Sequence, residues 1–180
     1  ITYVSPQNIT PLYQQQILAN KSLEKVIEKQ LIFGPTYSYT YTNALQKRKK
    51  NTFYYKGSID LAGNIAGLVS GANVQKGDTI KLFDVPFSQF IKIENDFRHY
   101  YKLGPDSQLA SRVIVGAGYA YGNSNEMPFI KQFFIGGTNS LRAFRARSIG
   151  PGSFDVASTQ SNSFLPDQSG DFKLEFNTEY

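Results

Sequence analysis

Residues 89–122 read QFIKIENDFRHYYKLGPDSQLASRVIVGAGYAYG. In the first half Ile91, Ile93 and Phe97 alternate with Lys92, Glu94, Asp96 and Arg98, so an extended chain carries four successive charges on one face. The second half sets Leu109, Val113, Val115, Tyr119 and Tyr121 against Ala110, Arg112, Gly116, Gly118, Ala120 and Gly122. Between them Gly104-Pro105-Asp106-Ser107 has the residues of a tight turn. The stretch reads as a long antiparallel hairpin with one apolar face, and with a second face that is charged on one strand and nearly bare on the other.

The same period recurs on both sides. Leu31, Phe33, Pro35, Tyr37, Tyr39 and Tyr41 alternate with Gly34, Thr36, Ser38, Thr40 and Thr42. Phe53, Tyr55, Gly57, Ile59, Leu61, Ile65 and Val69 alternate with Tyr54, Lys56, Ser58, Asp60 and Asn64, and Phe172, Leu174 and Phe176 with Lys173, Glu175, Asn177 and Glu179. Five strands are expected, over residues 31–42, 53–70, 89–103, 109–122 and 171–180. Globular strands average about five or six residues, whereas strands that cross a bilayer need about 9–11. Aromatic residues collect near the strand ends, at Tyr37, Tyr39, Tyr41, Phe53, Tyr54, Tyr55, His99, Tyr100, Tyr101, Tyr119 and Tyr121, as interfacial girdles require. Connection lengths alternate as well. Residues 43–51 and 104–107 are short, while 71–88 and 123–170 are long, which is the pattern of outer-membrane barrels with short periplasmic turns and long external loops.

Composition agrees with an all-β reading. Of 180 residues, 14% are aromatic and only 18% charged. The net charge of +5 is concentrated in Lys47, Arg48, Lys49 and Lys50 and in Arg142, Arg145 and Arg147, which is local rather than general. The absence of cysteine excludes disulfides, thiolate metal sites and a cysteine nucleophile. No apolar run is long enough for a membrane helix and no secretory leader is recognisable, which leaves a β-barrel open. Near the N-terminus, Thr10 and Pro11 begin a helix expected over 11–19, and a second is expected over 23–30. Residues 1–30 are therefore expected to form a helical extracellular-loop segment and residues 31–180 a partial barrel. Five strands cannot close a barrel, which needs about eight or more, so the chain is expected to be a piece of a larger protein.

The long connection contains Ile135-Gly136-Gly137-Thr138-Asn139-Ser140-Leu141-Arg142-Ala143-Phe144, followed by a strand with Leu174-Glu175-Phe176. In this the chain resembles the outer-membrane assembly and translocation barrels of the BamA and TamA types, the bacterial surface antigen group. Gly136, Gly137, Arg142 and Phe144 match the motif of their sixth external loop; Leu141 and Ala143 depart from it, Ala143 standing where the family has glycine. The resemblance implies a C-terminal fragment, roughly the eighth to twelfth strands of a barrel of about sixteen, with residues 123–170 folded inward. It also implies that Arg142 pairs with Glu175 across the lumen. Arginine suits that role, since its planar fork binds a carboxylate in two places and keeps its proton. The bare face of Gly116, Gly118, Ala120 and Gly122 leaves room for the loop.

The implied function is insertion of outer-membrane proteins or translocation of polypeptides in the bacterial outer membrane, without catalysis, cofactor or metal. The implied partners are outer-membrane lipid, unfolded outer-membrane protein clients, and periplasmic or lipoprotein components of an assembly complex. The alternatives are a two-partner secretion transporter, a barrel fused to a patatin-like lipase, a passive porin-like channel and a soluble β-rich binding domain. A nucleotide site is disfavoured because neither Gly116-x-Gly118 nor Gly136-Gly137 belongs to a phosphate-loop pattern. A nucleic-acid surface is disfavoured because no strand offers a basic face to join Arg142, Arg145 and Arg147. His99, in an aromatic cluster, reads as a girdle residue rather than a general base. Asp60, Glu94 and Asp96 share a face with Lys92 and Arg98, and read as lumenal ion pairs rather than a paired-carboxylate site.

Overall fold

Long runs of period-two alternation leave the backbone extended, and the computed structural model pairs them into one antiparallel sheet. It describes residues 1–4, 9–19, 27–44, 49–74, 79–152 and 168–180. The elements in chain order are β1 (Thr2–Val4), α1 (Pro11–Ala19), β2 (Gln30–Ile32), β3 (Thr36–Thr42), β4 (Asn51–Ala62), α2 (Asn64–Ser70), β5 (Lys81–Leu82), β6 (Val85–Pro86), β7 (Phe90–Lys102), β8 (Gln108–Ala120) and β9 (Phe172–Glu179). The main sheet has five strands in the order β3-β4-β7-β8-β9, each antiparallel to the next. It is an up-and-down meander, open at β3 and β9. The strands β4, β7 and β8, with 12, 13 and 13 residues, have the length expected of bilayer-crossing strands.

Three boundaries differ from the expectation. The strand expected over 31–42 is broken at Phe33-Gly34-Pro35: β2 pairs with β1, and only from Thr36 does the chain join the main sheet. Proline has no N–H to give to a ladder, and at this point the carbonyl of Pro35 instead accepts from Leu61 N at 3.0 Å. The strand expected over 53–70 stops at Ala62. The chain turns at Gly63, with φ +62°, into α2. Ile65 and Val69 fit an alternating pattern, yet they are four apart and fit one helical face equally well. Of the helix expected over 23–30, residues 23–26 lie outside the described residues, and Gln30 already belongs to β2.

The two faces of the sheet have inverted burial. The apolar face is exposed: Tyr37, Tyr39, Tyr41, Phe53, Ile59, Ile93, Phe97, Tyr119, Phe172, Leu174 and Phe176 are all open to the surroundings. The polar face is the covered one, with Asp96 and Glu175 buried. A water-soluble sheet packs the other way, whereas a membrane barrel presents its apolar side chains outward and keeps its polar ones inside. His99 lies on the outward face, stacked on Phe53 with ring centroids 4.7 Å apart. The small apolar core, Ile32, Ala62, Phe90 and Met127, closes the inner face at the end where the long connections leave the sheet.

Candidate functional site

The polar face is built by register. Asp96 of β7 is followed two residues later by Arg98, and the ladder sets Arg98 directly opposite Arg112 of β8. Two guanidinium groups thus converge on one carboxylate. Arg98 donates from Nε at 3.1 Å and from Nη2 at 2.7 Å, and Arg112 donates from the same two atoms at 3.1 and 2.7 Å. Only 9% of the Asp96 side chain is exposed. Such fork-to-carboxylate pairing has the strong geometry of a charge-assisted hydrogen bond.

Residues 123–152 lie across this face, and each contact has a partner that the sheet supplies. Arg112 donates from Nη1 to the carbonyl of Asn139 at 2.8 Å, so the arginine that shares Asp96 also clamps the tip of the loop. Lys131 reaches Asp60 at 2.6 Å, and Lys92 donates to the carbonyl of Lys131 at 2.9 Å. Phe133 seats its ring over Gly116 with the Lys92 ammonium 4.1 Å from its centroid, and Met127 seats its sulfur over Gly118. Burying a phenylalanine in this way contributes about 1.5–3 kcal/mol. The two arms of the connection are stitched where Phe133 and Gly170 exchange backbone hydrogen bonds at 2.8 and 2.9 Å.

A β-carbon at Gly116 would enter the Phe133 ring, and one at Gly118 would enter the Met127 thioether. Gly118→Leu is therefore expected to lift the loop from the wall at a cost of about 1–3 kcal/mol. In the intact protein this should appear as faster protease cleavage within 123–152. An unchanged cleavage rate would mean that the bare strip does not seat the loop.

The loop tip is a small closed turn. Gly137 donates to the Phe144 carbonyl at 2.9 Å and Arg147 N to the Ile135 carbonyl at 3.0 Å. Gly136 has φ +99° and is buried, and a β-carbon there would strike the Arg145 carbonyl, so only glycine fits. The Arg147 guanidinium lies between the rings of Phe129 and Phe134, 4.3 and 4.6 Å from their centroids. Ser140 receives Gly136 N at 3.3 Å and donates to Glu175 Oε2 at 2.8 Å.

Of the residues singled out from sequence, Gly136, Gly137, Arg142 and Phe144 all sit on this turn. Phe144 is half exposed. Arg142 meets Glu179, Nη2 to Oε1 at 2.7 Å, rather than Glu175. Both partners are largely open, and a pair of this kind is worth about 0–1 kcal/mol. Glu175, four residues earlier on β9 and nearer its loop end, is held by Ser140 and by Lys173 at 3.1 Å, and its buried Oε1 has no hydrogen-bond partner. Sequence reasoning passed over Arg112 and Ser140. The signal for Arg112 was available, because an arginine on an otherwise bare face has to find its carboxylate on the neighbouring strand.

Residues 32–170 match the Omp85 superfamily domain. No solved structure matches the chain. Proteins of that superfamily reside in the outer membrane of bacteria or organelles, and work in protein assembly or translocation rather than in enzymatic chemistry.

Proposed function

The chain belongs to the Omp85 superfamily, and on that premise we propose that it is the wall and inward loop of a BamA/TamA-like barrel of about sixteen strands that inserts outer-membrane proteins. The observation that supports this most directly is the loop itself. Residues 123–152 are fastened to the polar face of a membrane-type sheet by Arg112, Lys92 and Lys131, and the motif turn is carried at the far end. A passive pore needs an open lumen. Here the described connection fills the space against the wall and stiffens it. Clients are unfolded outer-membrane proteins, and periplasmic or lipoprotein partners deliver them. Residues 1–30 and the other connections at the loop end face the cell exterior.

Within this reading the motif arginine is a staple between the loop and β9. Glu175 and Glu179 share a face of that strand, and both lie within the reach of the turn. Glu175 Oε1 is buried without a partner, and Ser140, which already touches the same carboxylate, stands two residues before Arg142. In the closed barrel Arg142 exchanges its exposed contact with Glu179 for this buried one.

Two measurements test the proposal on the full-length protein reconstituted in vesicles. An unfolded barrel client should gain protease protection faster with the protein present than without it; equal rates would exclude the insertion function. Charge exchange then identifies the staple. Arg142→Glu should slow client insertion, and adding Glu175→Arg should restore it. Rescue by Glu179→Arg instead would assign the staple to the exposed carboxylate, and rescue by neither would remove it.

A further inference from the structure

We propose that α2 is an interfacial helix that lays its apolar face into the outer leaflet of the bilayer and so anchors the loop end of β4 to the lipid. The inference rests on the barrel reading above and adds a surface to it.

The helix follows β4 after the single turn at Gly63, and its sequence, Asn-Ile-Ala-Gly-Leu-Val-Ser, contains no ionisable residue. Its two sides are sharply different. Gly67 is buried against the side chain of Gln89, so close that a β-carbon there would overlap the amide. Ile65, Leu68 and Val69, at helical spacing on the opposite side, are 77%, 80% and 84% exposed. Three large aliphatic side chains on one short, uncharged helix are costly in water and gain about as much as any core residue if an apolar medium receives them.

Tyr121 indicates which medium that is. Its ring stacks on Tyr119 with centroids 6.1 Å apart and planes 13° from parallel, so the two share the outward face of the sheet. The Tyr121 hydroxyl donates to Asn64 Oδ1 at 2.7 Å, which ties the first residue of α2 to the lipid side of the wall and not to the lumen side. Across the ladder Tyr119 faces Ile91, which faces Leu61, the outward residue just before the turn. The exposed face of α2 thus continues the apolar band of the strands past the aromatic girdle. Tyrosine, with an apolar ring and a polar tip, is suited to that depth. A helix lying in the interface buries its apolar side a few ångströms into the acyl boundary.

The experiment uses the full-length protein in vesicles, with one cysteine at a time in a background without others; this chain itself has none. A fluorophore is placed at Leu68, at Ile93 on the outward face of β7, or at exposed Lys81, and lipids brominated near the headgroup or at mid-chain serve as quenchers. Folding of each variant is checked by its resistance to heat and detergent. The expected result is loss of fluorescence at Leu68 comparable with that at Ile93, but stronger with shallow than with deep bromines, and no loss at Lys81. Quenching at Ile93 without quenching at Leu68 would overturn the helix proposal alone, because water or another protein segment would then cover α2. No quenching at Ile93 would overturn the membrane barrel and the helix with it.

Discussion

Asp96→Ala is expected to destabilise the folded barrel by about 3–5 kcal/mol, the cost of removing one partner from a buried ion cluster. Among the described residues Asp96 is the one carboxylate that Arg98 and Arg112 share, and both donate to it through two nitrogens. Without it two half-buried guanidinium groups face each other across one ladder position. The damage also reaches the loop, since Arg112 holds the Asn139 carbonyl from the same side chain. Denaturant unfolding of the full-length protein in vesicles, followed by the gel shift between folded and heat-denatured forms, measures the loss. Replacing all three residues by leucine should recover much of it, because exchanging a whole buried ion cluster for apolar groups is often close to neutral. Loop protection should not recover in that variant, as the clamp on Asn139 is gone. An Asp96→Ala protein with an unchanged unfolding midpoint would mean that the cluster is hydrated and carries no load.

Lumenal ion pairing of Asp96 was expected from the charges beside it, and why the share of Arg112 was missed is a matter of range. Alternation is a property of neighbours, so Lys92, Glu94, Asp96 and Arg98 declare their shared face without any knowledge of what lies opposite. Register is a property of two strands and of the turn that joins them. That Arg98 stands across from Arg112, with Asp96 free to bridge them, follows only once the Gly104–Ser107 turn has set the offset. The same limit explains the staple. The polar face of β9 was legible, and so was an arginine at the tip of a loop, but the choice between Glu175 and Glu179 depends on how deeply the loop descends. Phe133 over Gly116 and Ser140 on Glu175 set that depth. The end of β4 failed for a different reason. Ile65 and Val69 satisfy two periods at once, and the left-handed turn at Gly63 decides between them.

The exposed face leads to the other large effect. Leu174 is 65% exposed on the outward side of β9, opposite Val115 near the middle of β8, and few protein atoms would notice its replacement. If water surrounded that face, Leu174→Arg would change stability by no more than about 0.5 kcal/mol, the usual range for a surface substitution. In a bilayer the same change places a cation near the midplane of the hydrocarbon, at about 2–4 kcal/mol. Depth supplies the internal control. Tyr119 is equally outward and even more exposed, but it lies at the end of β8 beside the girdle, where an arginine costs about 0–1 kcal/mol. Unfolding free energies of the full-length protein in vesicles should therefore rank Leu174→Arg well below Tyr119→Arg, with Leu174→Ala close to wild type. Equal small losses at both positions would place the apolar face in water, and the inverted burial of the sheet would then need a protein partner in place of lipid. The ranking matters more than either value, because a packing defect has no reason to follow distance from the girdle, whereas the free energy of burying a charge in a hydrocarbon slab has to.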